Sequence, residues 1–166
     1  YVTDKIFNQV NWLSSHSKYG AVCGGFSAID EAGTFINELT KQYIYSLEIT
    51  KELRNGQLRT SFCTFAVRTS ILRQLGGFRT YFKSSEDIDM QFRLAESCRI
   101  WYQQGSNYSW RLHGSSITHT QPNFERNFYE ARAREMQLQR GKEGKDDLMK
   151  GIFTLPQAVS KKKKIH

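Results

Sequence analysis

Three carboxylates fall within four residues in the segment 84–94, SSEDIDMQFRL: Glu86, Asp87 and Asp89. Such a group can start a helix, hold a metal ion or take a proton. As a helix start, Ser84 or Ser85 can cap, and carboxylates in the first turn meet the positive end of the macrodipole, worth about 0.3–1 kcal/mol each. As a metal clamp, Asp87 and Asp89 would have to converge on one ion. Residues two apart on a helix project about 200° from each other, so a chelate by this pair is rejected. The two are expected to do different things. As a proton acceptor, one carboxylate at the helix start must face a cleft, where the helix end favours its anion. Glu86 and Asp87 qualify by position, and Asp89 is expected to support or orient.

A second polar set lies in WRLHGSS, residues 110–116. Arg111 and His113 are two apart and share a face if a strand extends that far. A guanidinium suits a diphosphate bidentately, and a neutral imidazole can ligate Mn²⁺ or bond phosphate. A loop histidine bonded to backbone is the alternative. Ser115 and Ser116 suit loop capping at least as well as phosphate contact. In LRQLGGF, residues 72–78, Gly76 and Gly77 read as backbone devices for a tight turn after a helix. Cys23, Cys63 and Cys98 are odd in number, widely spaced and without a CxxC. That argues against a disulfide framework or zinc site, and for buried thiols in a reducing cytosol.

These groups need elements to hold them. Residues 3–16 read as a helix, capped by Thr3 or Asp4, with Ile6, Val10 and Leu13 on one face. Residues 19–29, YGAVCGGFSAI, read as a strand. A turn at 30–33 leads to a short return strand at 34–36. Residues 40–53 are ambiguous: the aromatics permit strand, while Leu47, Lys51 and the acids permit helix. Asn55-Gly56 ends them. TSFCTFAV, 60–67, reads as a second buried strand. A short helix over 69–75 stops at Gly76-Gly77, and 78–83 is a loop. The helix opening at Ser84 or Ser85 runs to about Cys98, with Ile88, Phe92 and Ala95 on its face and Met90 and Leu94 alongside. Strands at 99–103 and 107–112 flank Gly105. Pro122 suits the first turn of a long polar helix ending near Gly141. The order describes an α/β protein with a mixed sheet flanked by helices.

With 166 residues, 39% of them hydrophobic, the chain can build one ordinary domain with a core. No apolar run approaches the roughly 20 residues of a membrane span, and no signal-peptide pattern is visible. The chain starts at Tyr1 rather than Met, which fits an excerpt or a processed product. A net charge of +8 favours anionic partners. Half of that excess is the lysine run at 161–164. A solvated tail is its ordinary account, and an anchor to membrane or nucleic acid the alternative. No RNP-like motif, zinc finger or helix-turn-helix signal supports a basic nucleic-acid-binding domain.

The succession of LGGF, a short loop, EDID at a helix start, Arg93-Leu94 about one turn on, and R-x-H-x-x-S after a strand resembles the family 2 glycosyltransferases. The helix around KIFNQV followed by GAVCGGFSAIDEAGTFI is similar to the segment that follows the donor-sugar metal motif in those enzymes. The resemblance covers roughly residues 3–141. It implies a GT-A fold, a nucleotide-diphosphate sugar donor, a divalent metal (Mn or Mg) and inversion at the anomeric carbon. It makes Asp87 the base that deprotonates the acceptor hydroxyl, with Glu86 beside it contacting acceptor or base. Arg111 and His113 would bind the donor diphosphate, and His113 would complete the metal shell. Phe78, Tyr81 and Phe82 would line the acceptor site by stacking on a sugar, with core packing the alternative for Phe78. Trp101, Tyr102, Tyr108 and Trp110 are expected mostly in the core.

The family's nucleotide-binding strands and Asp-x-Asp motif would precede Tyr1, and Asp146-Asp147 lies too late to replace them. The chain therefore reads as the C-terminal, acceptor-side portion of a catalytic domain over 1–141, a partial GT-A fold, with a polar extension and basic tail over 142–166. A glycan or lipid-linked acceptor, polysaccharide or cell-surface glycan synthesis, and a cytoplasmic location at the inner face of the plasma membrane follow from the resemblance. The lysine tail would tolerate a peripheral membrane contact. A non-catalytic interaction module or truncated pseudo-enzyme of the same fold is the competing expectation. A partial sheet would expose an edge and an apolar face, and so favour association.

Overall fold

The glycine-punctuated apolar run Tyr19–Ile29 forms the central strand, β1, buried along most of its length. Its partners explain that burial. Arg99–Arg111, the last strand, β5, lies parallel on one side. Phe35–Glu38 (β2) and Ala66–Val67 (β4) pair antiparallel on the other, and Leu47–Glu48 (β3) adds antiparallel to β5. The result is a five-stranded mixed sheet in the order β2-β1-β5-β3, with β4 also beside β1. The computed structural model describes residues 4–40, 45–114 and 123–156. Thr3, Ser115, Ser116, Pro122 and the lysines at 161–164 lie outside the described residues.

Among the described residues five α-helices complete the fold: α1 (Lys5–Ser15), α2 (Thr50–Arg54), α3 (Thr69–Gln74), α4 (Glu86–Ser97) and α5 (Asn123–Glu143). Alternate strand residues serve the two faces of the sheet. Ala21, Cys23, Ile100 and Tyr102 pack against Met90, Leu94 and Ala95 of α4, with Ile49 and Leu53 from the α2 region. Tyr19 and Val22 pack with Leu13 and Trp12 of α1 and with Trp101. On its outer side α4 buries Phe92 with Phe82 and with Tyr129, Ala133 and Met136 of α5. Every residue of α4 from Asp89 to Ala95 is therefore buried. Each large apolar side chain enclosed there contributes roughly 1.5–3 kcal/mol.

Three expectations are corrected. The helix at residues 3–16 forms, but its inward face differs. Ile6 and Val10 are more than half exposed, as is Phe7, while Lys5 and Gln9 are buried beside Leu13. The stripes 6-10-13 and 5-9-13 share Leu13, and packing of Trp12 on Trp101 selects the second (ring centroids 5.7 Å, interplanar angle 13°). The run 60–67 is not a strand: it is a 3-10 turn, Phe62–Thr64, followed by the two residues of β4. Side-chain hydroxyls compete with the ladder there. Thr60 Oγ1 donates to the Gly24 carbonyl (2.7 Å), and Thr64 Oγ1 to that of Ser61 (2.8 Å). The two expected strands around Gly105 are one strand. Gly105, at φ 92°, absorbs the irregularity as register shifts opposite Gly24–Phe26. The ambiguous stretch 40–53 resolves into both readings in turn, β3 and then α2, with 41–44 outside the described residues.

Candidate active site

α3 ends at Gly76 and Gly77, both at φ 72°, and the chain crosses to α4 through an irregular loop. Arg93 of α4 ties that turn down, donating to the carbonyls of Leu75 (2.9 Å) and Gly77 (2.8 Å) and to Asp89 Oδ2 (2.8 Å). Asp89 is fully buried, and Arg79 (3.5 Å) and Arg140 (3.7 Å) also face it. The same two arginines meet on Asp146 Oδ2, at 2.7 and 2.6 Å. Asp89 thus belongs to a buried ion network joining the glycine turn, α4, α5 and the segment after α5. It supports and does not face a ligand. Asp146 was assigned to a polar tail by its neighbours in sequence, yet it is completely enclosed.

Asp87 has the other fate. It sits in the first turn of α4, half-buried, in a cleft of about 330 Å³ between the middle of β1, the 58–61 segment and α4. Phe26, Leu58, Thr60, Ser61 and Gln91 share the walls. The serine caps expected for α4 are not made. Ser85 takes a left-handed conformation (φ 59°) with no capping hydrogen bond, and its Oγ donates to the Arg126 carbonyl at 3.5 Å. Asp87 Oδ1 instead accepts the Ile88 N–H at 2.9 Å. Burial, and next the charge of Glu86, push the Asp87 carboxyl above the ordinary range, with the Ile88 N–H opposing them. Desolvation outweighs the backbone N–H at the helix start. A carboxylate so placed is a stronger base than one in water.

Gln91 was missed in the sequence. It is one turn beyond Asp87, 2% exposed, lines the same cleft, and its Oε1 has no hydrogen-bond partner. The available signal was the i, i+4 pairing of two polar residues on an otherwise buried helix. Arg59 also lines the cleft, where it is engaged by Glu52 through Nε (2.8 Å) and Nη2 and lies over the Tyr102 ring. Glu86 is exposed beside Asp87.

Arg111 and His113 lie at the carboxyl end of the parallel pair β1/β5, the end where ligands of α/β sheets gather. Both are exposed, and neither is among the residues lining the Asp87 cleft. The strand stops at Arg111, so strand geometry does not align His113 with it. The Arg111 guanidinium donates to the carbonyls of Asp30 (3.0 Å) and Glu31 (2.7 Å), bracing the turn between β1 and β2. Of the three aromatics expected to stack on an acceptor, Phe82 is core, packed with Phe92 and Tyr129, and is removed from that role. Phe78 and Tyr81 share a separate open cleft of about 500 Å³ with Tyr129 and Phe153, where Tyr81 Oη donates to the Thr154 carbonyl (2.6 Å).

The thiols are free, and burial pushes all three upward, Cys98 to about 11. Among the described residues, no three His, Cys, Asp or Glu side chains converge to hold a metal ion. No helix of the described residues is long and apolar enough to cross a membrane. Comparison with protein-family models gives no match to the chain, and comparison with curated proteins gives none either.

Proposed function

We propose that the chain is the acceptor-side portion of the catalytic domain of an inverting family 2 glycosyltransferase with a GT-A fold. The single observation that carries this reading is the Asp87 carboxylate: first turn of a buried helix, in a cleft, with its proton affinity raised. The order of LGGF, EDID and WRLHGSS supports it. Asp87 takes the proton of an acceptor hydroxyl as that oxygen attacks the anomeric carbon from the side opposite the departing nucleoside diphosphate. The Gln91 amide, with an unused acceptor, holds a neighbouring hydroxyl of the glycan or lipid-linked acceptor. Arg111 reaches the diphosphate by exchanging its two backbone carbonyls for phosphate oxygens. A divalent cation, Mn²⁺ or Mg²⁺, belongs to the reading, with His113 as one ligand and the others supplied by residues outside those described. Work at the inner face of a membrane belongs to it too.

The test is Asp87→Asn in the protein carrying its nucleotide-binding segment, assayed by nucleoside diphosphate release and sugar transfer. Transfer should fall by about 10²-fold or more with donor binding kept. Undiminished transfer overturns the assignment of the base. His113→Ala should weaken metal-dependent donor binding, and unchanged donor and metal affinities would remove His113 from the site.

One observation favours a second reading, a non-catalytic interaction module. α1 presents Ile6, Phe7 and Val10 to solvent, and β2 presents Phe35 and Ile36. A docking role predicts association that Phe7→Ser with Val10→Ser abolishes, in a protein whose Asp87→Asn variant behaves as the parent does. Sedimentation velocity measures it. A monodisperse, cooperatively melting monomer would contradict both the module and the incompleteness of the sheet.

A further inference from the structure

A second cleft, about 730 Å³, opens on the α1 face of the sheet, between α1 and the middle of β5. Its volume falls in the range of small-ligand sites, about 300–1,000 Å³. Its walls carry side-chain amides from Asn8, Gln9, Gln103, Gln104 and Asn107, and the indoles of Trp12 and Trp101. Among the described residues lining it, Lys5 is the one cation, and no carboxylate, imidazole or thiol takes part.

Two features mark it as built for a ligand. Gln9 is 1% exposed; its Nε2 donates to the Thr64 carbonyl (2.8 Å), and its Oε1 has no partner. Asn107 Oδ1 is likewise buried without one. Buried acceptors left unmade are costly and rare. Secondly, α1 is turned the wrong way for folding alone. It encloses Lys5 and Gln9 and leaves Ile6, Phe7 and Val10 to solvent. Such local conflicts concentrate at functional sites. The backbone also makes room: a Cβ on Gly24 would lie 2.3 Å from Asn107 Nδ2, so a larger residue there would displace that amide.

The chemistry of the walls selects the ligand. Amides donate and accept, as hydroxyls do, and the Trp12–Trp101 stack, with His16 on the Trp12 ring (4.1 Å), offers its uncovered edges to the C–H groups of a sugar ring. Among the described residues, a polyanion would meet a single cation and a metal would find no ligand set, and a lipid chain would leave the amides unsatisfied. We propose that this cleft binds an uncharged glycan segment, a short run of pyranose rings, at a site separate from that of Asp87. The 60–64 turn divides the two: Thr60 and Ser61 wall the Asp87 cleft, and the Thr64 carbonyl holds Gln9. The site does not depend on the transferase reading, because Asp87→Asn should leave it intact.

The experiment is titration of the 166-residue chain with cellotetraose and chitotetraose, followed by the indole N–H signals in NMR. Binding should shift the signals of Trp12 and Trp101 and spare Trp110. Gln9→Met, which keeps volume but removes both the orphan oxygen and the Nε2 bond to the Thr64 carbonyl, should weaken binding about tenfold and also lower Tm. Gln104→Ala, at an exposed position, should weaken it without touching the core. The proposal is overturned if neither tetrasaccharide moves Trp12 and Trp101, if the shifts survive both substitutions together, or if a uronate-bearing tetrasaccharide binds more tightly than the neutral ones.

Discussion

Asp87 and Asp89 stand two residues apart in the first turns of one helix and meet opposite physics. Asp89 is fully buried, yet Arg93, Arg79 and Arg140 neutralise it. Asp87 is only half-buried, yet its carboxylate is held by a backbone N–H with Glu86 as its charged neighbour. Depth therefore does not decide whether an anion is at rest; its partners do. The compensated carboxylate builds the scaffold. The uncompensated one keeps a raised proton affinity.

The contrast breaks most severely at Asp89. Asp89→Ala strands three guanidinium groups around an enclosed space and should cost about 3–5 kcal/mol, read as a loss of Tm and denaturation midpoint. Asp146→Asn should cost less, about 1.5–3 kcal/mol, because Asp89 still faces Arg79 and Arg140. That variant also tests a pH sign. Burial pushes the Asp146 carboxyl up, but Arg140, the Met149 N–H and Arg79 outweigh it and hold it below the ordinary range. Its stabilisation is present above the unfolded value of about 3.9 and is lost as pH falls through the folded value. Asp146→Asn should flatten acid unfolding in that window.

Asp87→Asn should change stability by less than about 1 kcal/mol and carry the opposite pH sign. The folded state binds the Asp87 proton more tightly, so the ionised carboxylate costs stability as pH rises from about 3.9 through its folded value. The difference between parent and variant should open across that interval in melts recorded from acid to neutral pH, and stay constant above it. The smallest effect belongs to Ser85→Ala. A working cap is worth about 0.5–2 kcal/mol, and since Ser85 makes no capping bond, a loss under about 0.5 kcal/mol is expected. A full capping loss in urea denaturation would show that the serine does cap α4.

Much of the scaffold was legible in sequence where the information is local. The run 19–29 is a strand over its expected length, α3 stops at Gly76-Gly77, and α4 begins beside Ser85. The divergence of Asp87 from Asp89 also followed from helical geometry, since the angle between positions two apart needs no tertiary knowledge. The face of α1 was not legible, because two stripes shared Leu13 and a contact 89 positions away, Trp12 on Trp101, chose between them. The turn at 62–64 depended on the Gly24 carbonyl accepting from Thr60.

From its residues alone this protein was bound to alternate helices with mixed strands and to place acids at one helix start. Periodicity, glycine stops and the helical twist act within a few residues. Which carboxylate is neutralised, which glutamines lose their partners and which face of α1 meets water were decided only when distant segments came together. The free energy of a buried polar group is set by what lies across from it, and that neighbour comes from elsewhere in the chain.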